Sequence, residues 1–246
     1  MDRLVYVAMS GAKETLRAQT ANNLNLANAS TTGFRADLSA FQSRAVQGAG
    51  LPTRVYATND SVGWDAGTGA LQQTGRDLDV AVSGQGWLAV QGSDGREVYT
   101  RAGDLHVDVN GQLVTAGGHP VLGDGGPVAV PPHSSISVAR DGSVSIVPLG
   151  QTATTVATVG RIKLVNPVAA DLERGQDGLF HLRNGNDAPA DASVQLVSGA
   201  LEGSNVNIAE TMTQMIALAR QFDLQVKALR TAEEDAAAAT RLLQAG

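Results

Sequence analysis

At 246 residues the chain has the length for one large domain or two small ones, with ample core in either case. Its formal net charge of -6 and isoelectric point near 5.1 argue against a general nucleic-acid binder, because neutralising phosphates takes concentrated Lys and Arg. Cysteine is absent, which excludes a disulfide framework and any thiolate metal site.

The first element is a helix that begins near Arg3. Val5, Met9, Ala12, Leu16, Gln19, Asn23 and Leu26 recur along it in steps of four and three, the spacing of one helical face. The run Asn22, Asn23, Asn25 and Asn28 weakens the helix, since Asn is a poor interior residue, and Ser30 to Gly33 ends it. Met1 to Ala12 has no basic segment followed by a continuous apolar one, so export by a cleaved signal peptide is not expected. Nor does any stretch approach the roughly 20 apolar residues that cross a bilayer, so the chain is expected not to be membrane-embedded.

Residues 34–70 are mixed and Gly-punctuated and are expected to be an extended connector, with a short strand around Arg54 to Thr58. From Leu71 to about Val197 the apolar period falls to two. Leu78 to Val82, Trp87 to Gln91, Leu105 to Val109, Ile136 to Ala139, Val144 to Val147 and Ile162 to Val165 are short and rich in β-branched residues, which predicts a β-rich domain over residues 71–200. Asp94-Gly95, Asn110-Gly111, Asp141-Gly142, Asp177-Gly178 and Asn184-Gly185 supply its turns, with Asn or Asp able to take positive φ beside a Gly. Pro120, Pro127, Pro131 and Pro132 belong at edges or in loops, where a missing N–H is tolerated.

The last element is a long helix, with Ser204 or Asn205 as its expected N-cap. Ile208, Met212, Met215, Ala219, Phe222, Val226, Leu229, Glu233, Ala236, Thr240 and Leu243 again alternate steps of four and three. Nine of these eleven are apolar, where a 43% hydrophobic fraction would give about five. A helix of about 35 residues is roughly 50 Å long and cannot bury such a stripe alone, so the two termini are expected to pair as a coiled-coil-like helical domain of residues 1–33 and 201–246. Their charges suit that pairing, with residues 1–54 at six basic and three acidic (net +3) and residues 201–246 at four basic and six acidic (net -2). The fold class is α+β: terminal helices around a central all-β domain. The alternative is that the C-terminal helix packs on the β domain instead.

Catalytic chemistry finds little support. His106, His119, His133 and His181 are scattered among turns and form no metal-ligand pair. Asp77 and Asp79 could flank a glycosidic bond in principle, but capping the start of the Leu78 strand is the plainer reading. Gly123-Asp124-Gly125-Gly126 lacks the Lys and helix of a phosphate loop and reads as a turn. Ser10 follows no strand and has no triad partners. No catalytic, cofactor or metal residue is therefore assigned.

Several motifs together carry a resemblance. The segment Ala21-Asn22-Asn23-Leu24-Asn25-Leu26-Ala27-Asn28-Ala29-Ser30-Thr31-Thr32-Gly33-Phe34-Arg35 resembles the N-terminal signature of the flagellar rod and hook family of axial proteins, with a variation at Asn25-Leu26. Leu78 to Val82 through Gly86-Trp87-Leu88, then Tyr99-Thr100-Arg101 and Asn110-Gly111-Gln112-Leu113, are similar to that family's β-domain block. Leu201-Glu202-Gly203-Ser204-Asn205-Val206-Asn207 precedes the last helix as it does there. The match covers essentially the whole chain. It implies a non-catalytic proximal-rod subunit of the bacterial flagellar basal body, with a distal-rod or hook-type subunit as the alternative. It also implies export by the flagellar type III apparatus, and the chain itself and other rod proteins as partners. The subunit interface would be the two stripes: Val5, Met9, Ala12, Leu16 and Leu26 at one end, and Ile208, Met212, Met215, Ala219, Phe222, Val226, Leu229, Ala236 and Leu243 at the other. The competing class is an enzyme acting on the cell wall, for which the sequence offers no dyad with supporting residues.

Overall fold

The computed structural model describes residues 2–45, 55–151 and 155–244. The chain forms two compact units, one from residues 1–29, 36–65 and 206–246, the other from residues 30–35 and 66–205.

The first unit holds α1 (Asp2–Ala27), β1 (Asp37–Ala45), β2 (Val55–Trp64) and α2 (Ile208–Gln244). The helices pack against each other. Asn22 near the end of α1 reaches Thr211 near the start of α2, and Gly11 lies against Gln225, so the pair is antiparallel. Asn207 caps α2, its Oδ1 accepting from Ala209 N at 3.1 Å and Glu210 N at 3.3 Å. That moves the cap two residues past Asn205, because Ser204 and Asn205 belong to the other unit. α1 likewise runs through the Asn cluster instead of fading there. Asn28 Nδ2 donates to Leu24 O at 2.9 Å and closes its last turn.

Where an extended connector was expected, residues 37–64 carry an antiparallel pair, with Asp37 opposite Trp64 and Ala45 opposite Val55. A bulge between Leu38 and Ser39 breaks the period there, one reason that the alternation was not legible. Arg54, expected in a short strand, lies outside the described residues.

The second unit is antiparallel throughout its named strand pairs. Its strands are β3 (Leu71–Gln73), β4 (Val80–Ser83), β5 (Trp87–Gln91), β6 (Glu97–Thr100), β7 (Leu105–Val107), β8 (Leu113–Thr115), β9 (Leu122–Gly123), β10 (Gly126–Pro127), β11 (His133–Val138) and β12 (Ser143–Pro148). They continue as β13 (Ala157–Arg161), β14 (Leu164–Val165), β15 (Leu172–Arg174), β16 (Phe180–Leu182), β17 (Gln195–Ser198) and β18 (Ala200–Glu202). The main sheet runs β14-β5-β6-β16-β15, and a three-stranded sheet runs β11-β12-β13. Val80, Leu88, Val90, Leu105, Val144 and Ile162 belong to one shared core. β3 pairs with β18 and β4 with β17. The chain thus leaves this unit beside the point at which it came in, as a domain inserted within another must. In its turns only glycines take positive φ among the described residues, so the Asp-Gly and Asn-Gly pairs are not two-residue turns with Asn or Asp left-handed.

The inward face of α1 generates a prediction. Ala8, Gly11, Thr15, Ala18 and Asn22 are buried, and all are small or polar. Ala18→Leu overpacks that face and is expected to cost about 1–3 kcal/mol. Met9→Ser, on the exposed side, is expected to stay within about 0.5 kcal/mol of wild type. Urea unfolding followed by helical circular dichroism checks both.

Candidate functional site

Two features of the structure are candidates for function, one in each unit. In the helical unit the seam sits one register step away from the stripe read in the sequence. On α2 the residues turned inward are Thr211, Met215, Leu218, Phe222, Gln225, Leu229 and Ala232, in steps of four and three. This set shares Met215, Phe222 and Leu229 with the predicted stripe. Of the other predicted positions, Ala12 is buried, and Val5, Leu26 and Val226 are half-buried. Met9 (53% exposed), Leu16 (47%), Ile208 (50%) and Met212 (52%) face outward, as does Ala219. The side chains of Ala236 and Leu243 lie outside the described residues.

The register went the other way for a physical reason. Small residues on α1 let the backbones approach, and polar groups can occupy the seam once they are bonded. Asn22 Nδ2 donates to Thr211 O at 2.9 Å, and Thr15 Oγ1 donates to Gly11 O at 2.8 Å. The large apolar side chains are left outside: Tyr6, Met9, Leu16 and Leu24 on α1, with Ile208, Met212, Ile216 and Leu224 on α2. Singly such residues need no explanation, but two helices each carrying four is an unburied apolar surface. α2 is also eleven residues longer than α1 (37 against 26), so about 17 Å of helix has no counterpart in α1. Asn25, read as a family variation, ties the strand pair to α1. Its Oδ1 accepts from Asp37 N at 2.8 Å and its Nδ2 donates to Asp37 O at 2.9 Å, in the manner of a strand partner.

In the β unit the family motifs converge on a buried carboxylate. Glu202, 1% exposed, pairs through Oε1 with Arg35 Nη2 at 2.6 Å and through Oε2 with Arg101 Nη1 at 2.9 Å. Oε1 also accepts from Gly69 N at 2.8 Å, and the Glu202 carbonyl accepts from Gly33 N at 2.7 Å. Arg101 Nη2 donates to Gly84 O at 2.8 Å, and its guanidinium stands 5.3 Å from the Trp87 ring centroid. Trp87 stacks obliquely on Phe180 at 4.6 Å. Arg174 lies over both Phe180 and Phe34, at 5.1 and 4.6 Å, and donates through Nη2 to Arg35 O. Burial pulls the Arg101 guanidinium below its ordinary range, while Glu202 acts to raise it. Gly33 is required at its place, because it holds φ at +68° and a Cβ there would lie 2.3 Å from Arg101 C.

The segments 30–35, 99–101 and 201–205, noted in the sequence as separate motifs, thus form one clasp. What the sequence concealed was which charges pair across 167 residues (202 less 35). The available signal was a charged residue set among Gly, Thr and apolar neighbours in each motif. Asp124 and Gly125 turn β9 into β10, and no group of three or more His, Asp or Glu among the described residues could hold a metal ion. Asp79, expected to cap the start of the Leu78 strand, is buried and pairs with Arg76 at 3.1 Å.

The sequence that builds these two units is matched among known proteins. The family described as "Flagellar hook protein FlgE/F/G D1 domain" matches residues 81–146, and "Flagellar basal body rod FlgEFG protein C-terminal" matches residues 197–242. The chain belongs to this flagellar hook and basal-body rod family. It is 46% identical to the flagellar basal-body rod protein FlgF of Escherichia coli (strain K12), over 99% of each chain. It is 34% identical to FlgF of Caulobacter vibrioides over 98% of each, and 31% identical to the basal-body rod protein FlgG of Bacillus subtilis (strain 168) over 95% of this chain and 96% of that one.

The clasp yields a second prediction. Glu202→Gln leaves Arg35 and Arg101 buried without their counter-charge and is expected to cost about 3–5 kcal/mol. Urea unfolding followed by Trp87 fluorescence, with Trp64 replaced by Phe in both proteins, measures it.

Proposed function

We propose that the chain is a non-catalytic structural subunit of the flagellar basal-body rod, of the FlgF type that forms the proximal rod. The observation that carries this reading is the apolar side chains left unburied on the helix pair: Tyr6, Met9, Leu16 and Leu24 on α1 and Ile208, Met212, Ile216 and Leu224 on α2. Each such side chain contributes on the order of 1.5–3 kcal/mol when fully buried, so a neighbouring helix gains far more from this face than from a polar one. The FlgG-type distal-rod reading is the alternative, and the higher identity to FlgF than to FlgG favours the first.

The stripes read in the sequence then divide by role. Ala12, Met215, Phe222 and Leu229 hold the helix pair together. Met9, Leu16, Ile208, Met212 and Ala219 meet neighbouring subunits, and Val5, Leu26 and Val226 extend one or other face. Contacts of this kind are heterologous and propagate helically instead of closing on a two-fold axis. Partners are further copies of this chain and other rod proteins. The route to the rod is the flagellar type III apparatus, for which a chain without cysteine has no disulfide to undo.

Met212→Asp tests the reading. It places a charge on the outward face, where water still solvates it in the free subunit but a packed neighbour would strand it. Unfolding is expected to stay close to wild type while incorporation into basal bodies, and swimming, are lost. Normal motility with normal incorporation would sink the proposal.

A further inference from the structure

The start of β4 meets the segment before β7 at an isolated antiparallel bridge between Asp79 and Asp104. Val80 N donates to Gly103 O at 2.9 Å and Leu105 N to Leu78 O at 3.3 Å. Bonds thus flank the pair without joining it, which is the non-hydrogen-bonded position, where opposed residues stand closest, about 4.5 Å between Cα atoms. Gly103 permits that approach, since a Cβ there would lie 1.7 Å from Val80 O.

Two carboxylates directly opposite repel each other. Here Asp79 is buried and Asp104 half-buried, and Oδ1 of Asp104 is buried with no hydrogen-bond partner among the described residues, while the buried Oδ1 of Asp79 has only its ion pair with Arg76. The charged or titratable groups facing them are Arg76, whose Nη2 lies 3.1 Å from Asp79 Oδ1, and His106, two residues along the chain from Asp104. β8 and residues 198–200, which touch the pair through Ala116 N to Asp104 O and Gly199 N to Asp79 O, add no charge. Two acids therefore face one arginine, and a proton is the smallest group that makes up the difference.

We propose that Asp79 and Asp104 share one proton, taken from solvent on mild acidification, so that Asp104 donates across the bridge to Asp79 and the β unit tightens as the pH falls. Burial, with the Asp79 charge adding to it, pushes the Asp104 carboxyl above the usual carboxylate range. A group whose native pKa lies above its unfolded value binds its proton better when folded. Its stabilisation is absent well above the native pKa, grows as pH falls through it and is complete below the unfolded value of about 3.9. The exposed turn acids run the other way. Asp108 is held low first by the hydrogen bond from Gln112 N and Asp141 first by that from the Ser143 hydroxyl, so both lose their contribution in acid. The pair must therefore be read as a difference between variants.

The test compares melting temperatures of the full chain and its Asp104→Asn variant from pH 8 to pH 4. Asparagine keeps the shape and supplies the donor without the charge. The variant is expected to melt about 2–4 °C higher at pH 8, with the gap closing towards pH 4. An equal gap at both ends, or a variant that melts lower at pH 8, overturns the proposal. A second measurement needs no variant: the Asp104 side-chain carbonyl carbon, followed by NMR in the wild-type chain. A midpoint above about 3.9 accompanied by a shift at Asp79 supports proton sharing, and a midpoint at or below that value overturns it.

Discussion

One carboxylate organises the β unit. Glu202 sits on the last strand before the chain leaves, Arg35 on the first segment after it arrives, and Arg101 at the end of β6 in the centre of the main sheet. Joined in the interior, they fix where the chain enters and leaves relative to the strands between. An apolar cluster of similar volume could hold these segments with comparable energy, because desolvation offsets much of a buried ion pair's attraction. It would not fix one register so sharply. A shift of β18 by one residue would turn Glu202 to the opposite face and strand two guanidinium groups in the core. The aromatic rings extend the same constraint, with Trp87 and Phe180 linking Arg101 to Arg174, and Phe34 on Arg174 in turn.

The helical unit is stabilised by the opposite choice of residues. Its seam sets small and hydrogen-bonded side chains of α1 against Met215, Leu218, Phe222 and Leu229 of α2, and a second set of large apolar side chains stays outside. The Ala, Gly, Thr and Asn of α1 contribute little apolar area to that seam, and the outward apolar residues have more to gain from further helices. Polar groups such as Asn22 and Gln225 limit which registers the pair can take, as buried polar residues do in helical bundles. Asn25 adds a second latch by pairing with both backbone groups of Asp37, which orders the start of the β1–β2 hairpin without any contribution from its core. A subunit built to assemble profits from this division, since its strongest faces remain available.

Six of the eighteen strands were legible because their segments alternate and because Gly-containing turns separate them. β4, β5, β7, β11, β12 and β14 overlap the segments read from the period of two. β15, β16 and β18, of three residues each, were not among those segments. The hairpin of β1 and β2 was hidden by its bulge and by the polar residues of both strands. On the helices, periodicity identified both elements but chose the neighbouring register. A count of apolar residues rewards the side with Met9, Leu16, Ile208 and Met212, and that side is the one facing outward.

The sequence by itself determined the helical ends, the all-β middle, the turn positions and the family, because those depend on local periodicity, on glycine and on residues adjacent in the chain. Tertiary structure alone decided which helix face closes inward, that Asn207 caps α2, and that Arg35, Arg101 and Glu202 meet. It also set Asp79 against Asp104 rather than beside Asp77. Each of these depends on groups far apart in the chain brought within bonding distance, and no local pattern of residues encodes that distance.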